Sequence, residues 1–129
     1  MTYDEFNTFC RALPATTYVV QWGGSHVWKV GGKVFAIGGW EAAPAFVFKA
    51  TKLAFEMMKS APGLRPAPYL ASRGLSWLQR IDDSSLSDDE LRGYLRKSHE
   101  LVSAGLTRAA RRELGLEKKT PPAARAGRR

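Results

Sequence analysis

Cysteine is nearly absent from this 129-residue chain: Cys10 stands alone. No internal disulfide can form, which agrees with a reducing, cytoplasmic setting, and the thiol reads as a small buried apolar side chain. Long apolar runs are missing as well. Nothing approaches the roughly 18 consecutive apolar residues of a bilayer-spanning helix, and the first residues lack the basic segment and apolar run of a secretory signal. The expectation is a protein that makes no use of a membrane. Histidine is scarce, and His26 and His99 have no metal-ligand spacing to each other or to Cys10. No serine lies in a nucleophile motif. The glycine pairs Gly23-Gly24, Gly31-Gly32 and Gly38-Gly39 lack the following lysine and helix of a phosphate-cradling loop, so they read as turns. The carboxylates Asp88-Asp89-Glu90 fall in an expected first helical turn, where the helix dipole favours them without any catalytic role. Together these absences argue for a non-enzymatic protein with no cofactor and no metal.

Charge is plentiful but unevenly placed. The formal net charge is +8. From Lys118 onward Lys118, Lys119, Arg125, Arg128 and Arg129 stand without any acid, so this segment supplies +5 and leaves +3 for the rest. It also has almost no apolar bulk to offset the entropy lost on ordering. Residues 1–116 are therefore read as one domain and 117–129 as a disordered basic tail.

The domain is organised around His26 to Ile37, where two β-prone runs meet at Gly31-Gly32, a pair suited to a two-residue hairpin. A regular hairpin would place Val30 opposite Lys33, Trp28 opposite Phe35 and His26 opposite Ile37 on one face, with Val27, Lys29, Val34 and Ala36 on the other. Before it, Thr2 and Glu5 form a capping-box pattern for a short helix ending near Pro14, and Thr16 to Trp22 reads as a strand. After it, Ala45 to Lys49 alternates as a strand, and Thr51 caps a helix with the apolar stripe Leu53, Ala54, Met57 and Met58. Gly63 to Tyr69, with two prolines, reads as an ordered loop. Leu75 to Ile81 reads as one more strand. Ser87 and Glu90 then open a long helix whose apolar face is Leu91, Tyr94, Leu95, Ser98 and Val102, ended by Gly105, and Thr107 to Leu114 forms a last helical piece. The order predicts an α+β two-layer sandwich, an antiparallel sheet of about five strands with one face on helices and the other exposed.

Binding signals centre on cations and aromatics. Lys29, Lys33, Lys49 and Lys52 cluster on or beside the hairpin and the next strand. Arg65, Arg73 and Arg80 lie near Tyr69 and Trp77, and planar guanidinium and aromatic groups suit phosphates and stacked bases. Trp22 and Trp40 are further aromatic surface candidates. Each residue singly has an equally ordinary role as a solvated charge or a core ring, so convergence on one surface is the deciding observation.

The run Trp28-Lys29-Val30-Gly31-Gly32-Lys33-Val34-Phe35-Ala36, followed by Gly63-Leu64-Arg65-Pro66-Ala67-Pro68-Tyr69-Leu70, Trp77 and Ser98-His99-Glu100-Leu101-Val102, resembles the MmcQ/YjbR-like family from about Thr2 to Leu114. His99 departs from the tyrosine usual after that serine. The resemblance implies a double-wing, frataxin/CyaY-like fold associated with DNA binding, the hairpin being a wing with Lys29 and Lys33 as phosphate contacts and Arg65 and Arg73 beside it. The expected function is thus a monomeric DNA-binding protein that engages the phosphate backbone. The alternatives are a protein-interaction module using Trp22, Trp40 and Tyr69, or a small-ligand domain with its pocket between the sheet and Gly63 to Tyr69.

Overall fold

Both capping boxes form. Thr2 Oγ1 accepts from Glu5 N at 3.1 Å while Glu5 Oε1 accepts from Thr2 N at 2.8 Å, opening helix α1 (Tyr3–Arg11). Ser87 and Glu90 repeat the exchange at the head of α3 (Asp88–Ala104). The computed structural model describes residues 1–116, the side chain of Arg73 excepted, so the expected basic tail lies outside the described residues. Between the two helices run β1 (Thr16–Gln21), β2 (Ser25–Val30), β3 (Lys33–Gly38), β4 (Phe46–Lys49), α2 (Lys52–Met58), β5 (Leu64–Pro66) and β6 (Trp77–Arg80). A final short helix, α4 (Arg108–Glu113), follows α3.

The sheet has six antiparallel strands in the order β1-β2-β3-β4-β6-β5, one more than the sequence suggests. The addition is β5, in the stretch expected to be a loop. It is an edge strand, and there a proline can sit with no ladder hydrogen bond lost. Helices α1 and α3 cover one face and build the main core from Phe6, Cys10, Trp28, Phe35, Phe48, Leu78, Leu91 and Leu95, all at most 2% exposed. Burial pushes the Cys10 thiol well above the ordinary cysteine pKa, which suits its expected role as an apolar filler.

The hairpin turns at Gly31-Gly32 as expected, with φ of +60° and +79°, and Val30 faces Lys33. Beyond Lys29 the register shifts. Trp28 lies opposite Ala36, Val27 opposite Ile37 and His26 opposite Gly38. Phe35 is the extra residue of a β-bulge, so Phe35 and Ala36 both join the core under the helices, and Ile37 moves to the other face beside Val27. The reason lies in α3: His99 meets the Phe35 ring edge-on at 5.2 Å, and Ser98 Oγ donates to Phe35 O at 2.6 Å. Gly38 falls where α1 crosses, and a Cβ there would stand 3.0 Å from the Phe6 ring.

Two further expectations change. In α2 the inward residues are Ala54, Phe55 and Met58, whereas Leu53 and Met57 point to solvent. On so short a helix two adjacent stripes compete, and the one containing the aromatic ring buries more area. The second sheet face is exposed only at its margins. Its centre, Val27, Ile37 and Val47, is fully buried beneath Trp40 and Leu70 from the β3–β4 and β5–β6 connections and Trp77 at the start of β6.

Candidate functional site

Strand direction gives the sheet two unlike ends. One is the row Gly38, Phe46, Arg80 and Leu64, and the other is the Gly31-Gly32 turn with the Lys49–Trp77 pair. Carboxylates gather at the first end: Asp4 and Glu5 in the first turn of α1, Glu41 after β3, Asp82 and Asp83 after β6, and Asp88, Asp89 and Glu90 opening α3. Helix α1 is fixed there by Tyr3, whose hydroxyl accepts from Ala45 N at 3.2 Å. At the opposite end α3 terminates, Leu106 packs against the Gly31 turn, and α4 begins with Arg108, Arg111 and Arg112. No strand carries a carboxylate, and residues 6–40 and 57–81 contain none. That pattern was visible in the sequence and is the signal that residue-by-residue inspection passes over.

Lysines occupy this second end. Lys33 and Lys49, with Val34 and Trp77, line a groove of about 420 Å³ closed by the end of α3. Lys29 is cross-strand partner to Val34 on the same face, and Lys52 is exposed one turn beyond Lys49. Lys29, Lys33 and Lys49 make no ion pair among the described residues. Two of the expected cations, Lys33 and Lys49, therefore share a groove beside the turn, with Lys29 on the next strand.

The arginines divide. Arg80 is only 5% exposed on the helix side, where Nη2 donates to Asp88 Oδ1 at 2.8 Å and Nε to Asp82 O at 3.2 Å. It is a neutralised structural group and no surface contact, because its strand position alternates into the core. The Asp88 carboxyl is held below the ordinary carboxylate range, first by its hydrogen bond to the Met1 ammonium and then by Arg80. Arg65 lies on the second face and donates from Nε to Gln79 Oε1 at 2.6 Å. Arg73 lies in a 3-10 turn, Ser72–Gly74, and its side chain is outside the described ones.

The aromatic candidates meet. Trp40 stands between Trp22, at 5.3 Å and 74°, and Tyr69, at 6.5 Å and 87°. Trp40 Nε1 donates to Pro68 O at 2.9 Å, and the fully buried Gln79 donates to Trp40 O, so the central ring is held at both its indole and its main chain. Trp22 and Tyr69 are 52% and 76% exposed, whereas Trp40 and Trp77 are partly buried. Trp22, Glu41 and Tyr69 all have positive φ, of 52°, 57° and 66°. A left-handed conformation costs a non-glycine residue about 1–2 kcal/mol, so backbone strain collects around this row. Trp40, Leu70 and Trp77 pack onto the sheet on the side of the expected small-ligand pocket.

The fold is thus an α+β sandwich in which two helices back a six-stranded antiparallel sheet and the far face carries a capped, cation-flanked surface. The YjbR family model matches residues 11–101, and the chain belongs to that family. It is similar over 92% of its length, and over 91% of the other chain, to the crystal structure of Deinococcus radiodurans protein DR2400, which carries family-model domain DUF419, with 25% identity and a TM-score of 0.78. No curated protein matches the sequence.

Proposed function

We propose that this chain is a non-enzymatic DNA-binding protein that holds the phosphate backbone at its Gly31-Gly32 end. One observation carries the proposal: Lys33 and Lys49 share a groove lined by no carboxylate at the Gly31-Gly32 end, Lys29 lies on the neighbouring strand, and none of the three makes an ion pair among the described residues, while eight of the eleven described acids lie at the other end of the sheet. Unpaired lysines beside a phosphate release condensed counterions, and each contact adds about 0.9 to the salt slope on a duplex. Lys52 and, in the sequence, the basic residues from Lys118 onward add further positive charge.

The test is anisotropy of a labelled duplex of about 20 base pairs across salt from about 50 to 200 mM. The triple variant Lys29→Gln, Lys33→Gln, Lys49→Gln is expected to lower the slope by about 2–3, and truncation after Glu117 to lower it further. Binding insensitive to salt, or none at the lowest salt, would overturn the proposal. A protein-interaction module is the second reading, favoured by the contact of Trp22, Trp40 and Tyr69, since exposed, held aromatics are the usual anchors of such interfaces.

A further inference from the structure

We infer that the nucleic acid this face takes is single-stranded, with bases stacked on Trp22 and Tyr69 and the backbone led toward Lys49 and Lys33. The inference rests on the DNA-binding reading and narrows it. A duplex presents phosphates but keeps its base faces stacked inside, so it has no use for exposed rings on a sheet that also carries the cations. Single strands use both, a cationic track and a platform of aromatic faces.

The platform is here. Trp22 and Tyr69 each touch Trp40 edge-to-face, a contact that covers at most one face of a ring, and both are more than half exposed. Trp40 is tied down by Pro68 O and Gln79, so the row needs little ordering on binding. The track starts farther along the same sheet, since Trp22 follows the Gln21–Ser25 pair at the end away from the Gly31-Gly32 turn, and Trp40 and Trp77 bridge the interval. Trp40 and Trp77 cap the same patch of Val27, Ile37 and Val47, and Trp77 pairs across the strands with Lys49, which shares its groove with Lys33. Val47 and Lys49 are two residues apart on β4, about 7 Å along the strand, so the lysine groove begins one side-chain row from the capped centre. Charge also chooses the occupant. The strands and the β5–β6 connection contain no carboxylate, and Glu41 is the one acid in the β3–β4 connection, which favours a polyanion over a mixed-charge protein surface.

The full chain is titrated with an oligothymidylate of about 20 nucleotides and with a duplex of the same length in about 50 mM salt, reading tryptophan emission and anisotropy. The oligothymidylate is expected to bind at least about tenfold tighter and to quench the emission. Trp22→Ala and Tyr69→Ala are each expected to weaken it by about 5- to 150-fold and to leave duplex affinity and the melting temperature unchanged, with Trp22→Phe restoring most of the loss. Equal affinities with unaltered emission, while the lysine variant still weakens both, would overturn the single-strand inference and leave the backbone reading standing. Failure of both probes to bind removes the two together. A self-associated species in sedimentation that Trp22→Ala dissolves would assign the face to a second copy of the chain and overturn the inference.

Discussion

Replacing Ser98 by alanine should cost far more than the loss of one hydroxyl suggests. Below the Ala36–Phe48 pair the ladder between β3 and β4 stops, and the Ser98 hydroxyl stands between the strands. It donates to Phe35 O at 2.6 Å and accepts from Lys49 N at 2.8 Å, and the residue is fully buried. Alanine leaves a carbonyl and an N–H unpaired away from water, each costing about 1–3 kcal/mol, so a loss of about 3 kcal/mol is expected. An unfolding entropy of about 2.1 cal/mol/K per residue over the described domain makes that a fall of about 12 °C in Tm. Urea and thermal unfolding of the parent and Ser98→Ala, with the m-value unchanged, measure it. Ser103→Ala is the control on the same helix, because Ser103 Oγ is buried without a partner and its removal should be neutral or stabilising. A Ser98→Ala loss within about 0.5 kcal/mol would refute the reasoning, since it would mean that β3 and β4 close directly on each other.

Two more outcomes follow from the same structure. Gly63, at φ +78°, would bring a Cβ against the Asp82 side chain and within 2.9 Å of Asp82 O, so Gly63→Ala should lose about 2–4 kcal/mol. Gly74→Ala, at φ +79° in open space, should lose only about 1 kcal/mol, and equal losses in denaturant melts would contradict the steric argument. Because the Asp88 carboxyl titrates below its unfolded value, its contribution is complete above the ordinary carboxylate pKa and disappears as pH falls through the folded one. Asp88→Asn should therefore be less stable near neutrality and flatten the acid limb of the urea midpoint below about pH 4, and an unchanged slope there would be the contrary result.

Local chemistry made much of the fold readable. The capping boxes at Thr2 and Ser87, the cap Thr51 and the turn at Gly31-Gly32 depend on residues within four positions of one another, and each forms as expected. The bulge at Phe35 was not readable, because it is decided by Ser98 and His99, over sixty residues away, and a single inserted residue leaves the alternating pattern intact on either side. The edge strand Leu64–Pro66 was hidden by its proline, which argues against a central strand and says nothing against a border one. At the site, the convergence of Lys33 with Lys49 and of Trp22 with Trp40 and Tyr69 was legible only as a list of candidate types. Bringing them together takes the β2–β3–β4–β6 order and a buried Gln79, a residue whose polar label suggested no structural role. Arg80 was misassigned for the opposite reason: its charge suggested the surface, while Asp88 made burial tolerable.

The gathering of eight of the eleven described carboxylates at one end of the sheet, away from Lys33 and Lys49, sets an electric moment along its strands. On the proposed DNA-binding reading, a body with such a moment would turn in the field of a polyanion before touching it, and encounters would arrive with the glycine turn leading. Orientation in flight raises the fraction of productive collisions, and dissolved salt, by shortening the reach of that field, should slow capture before it loosens the captured state.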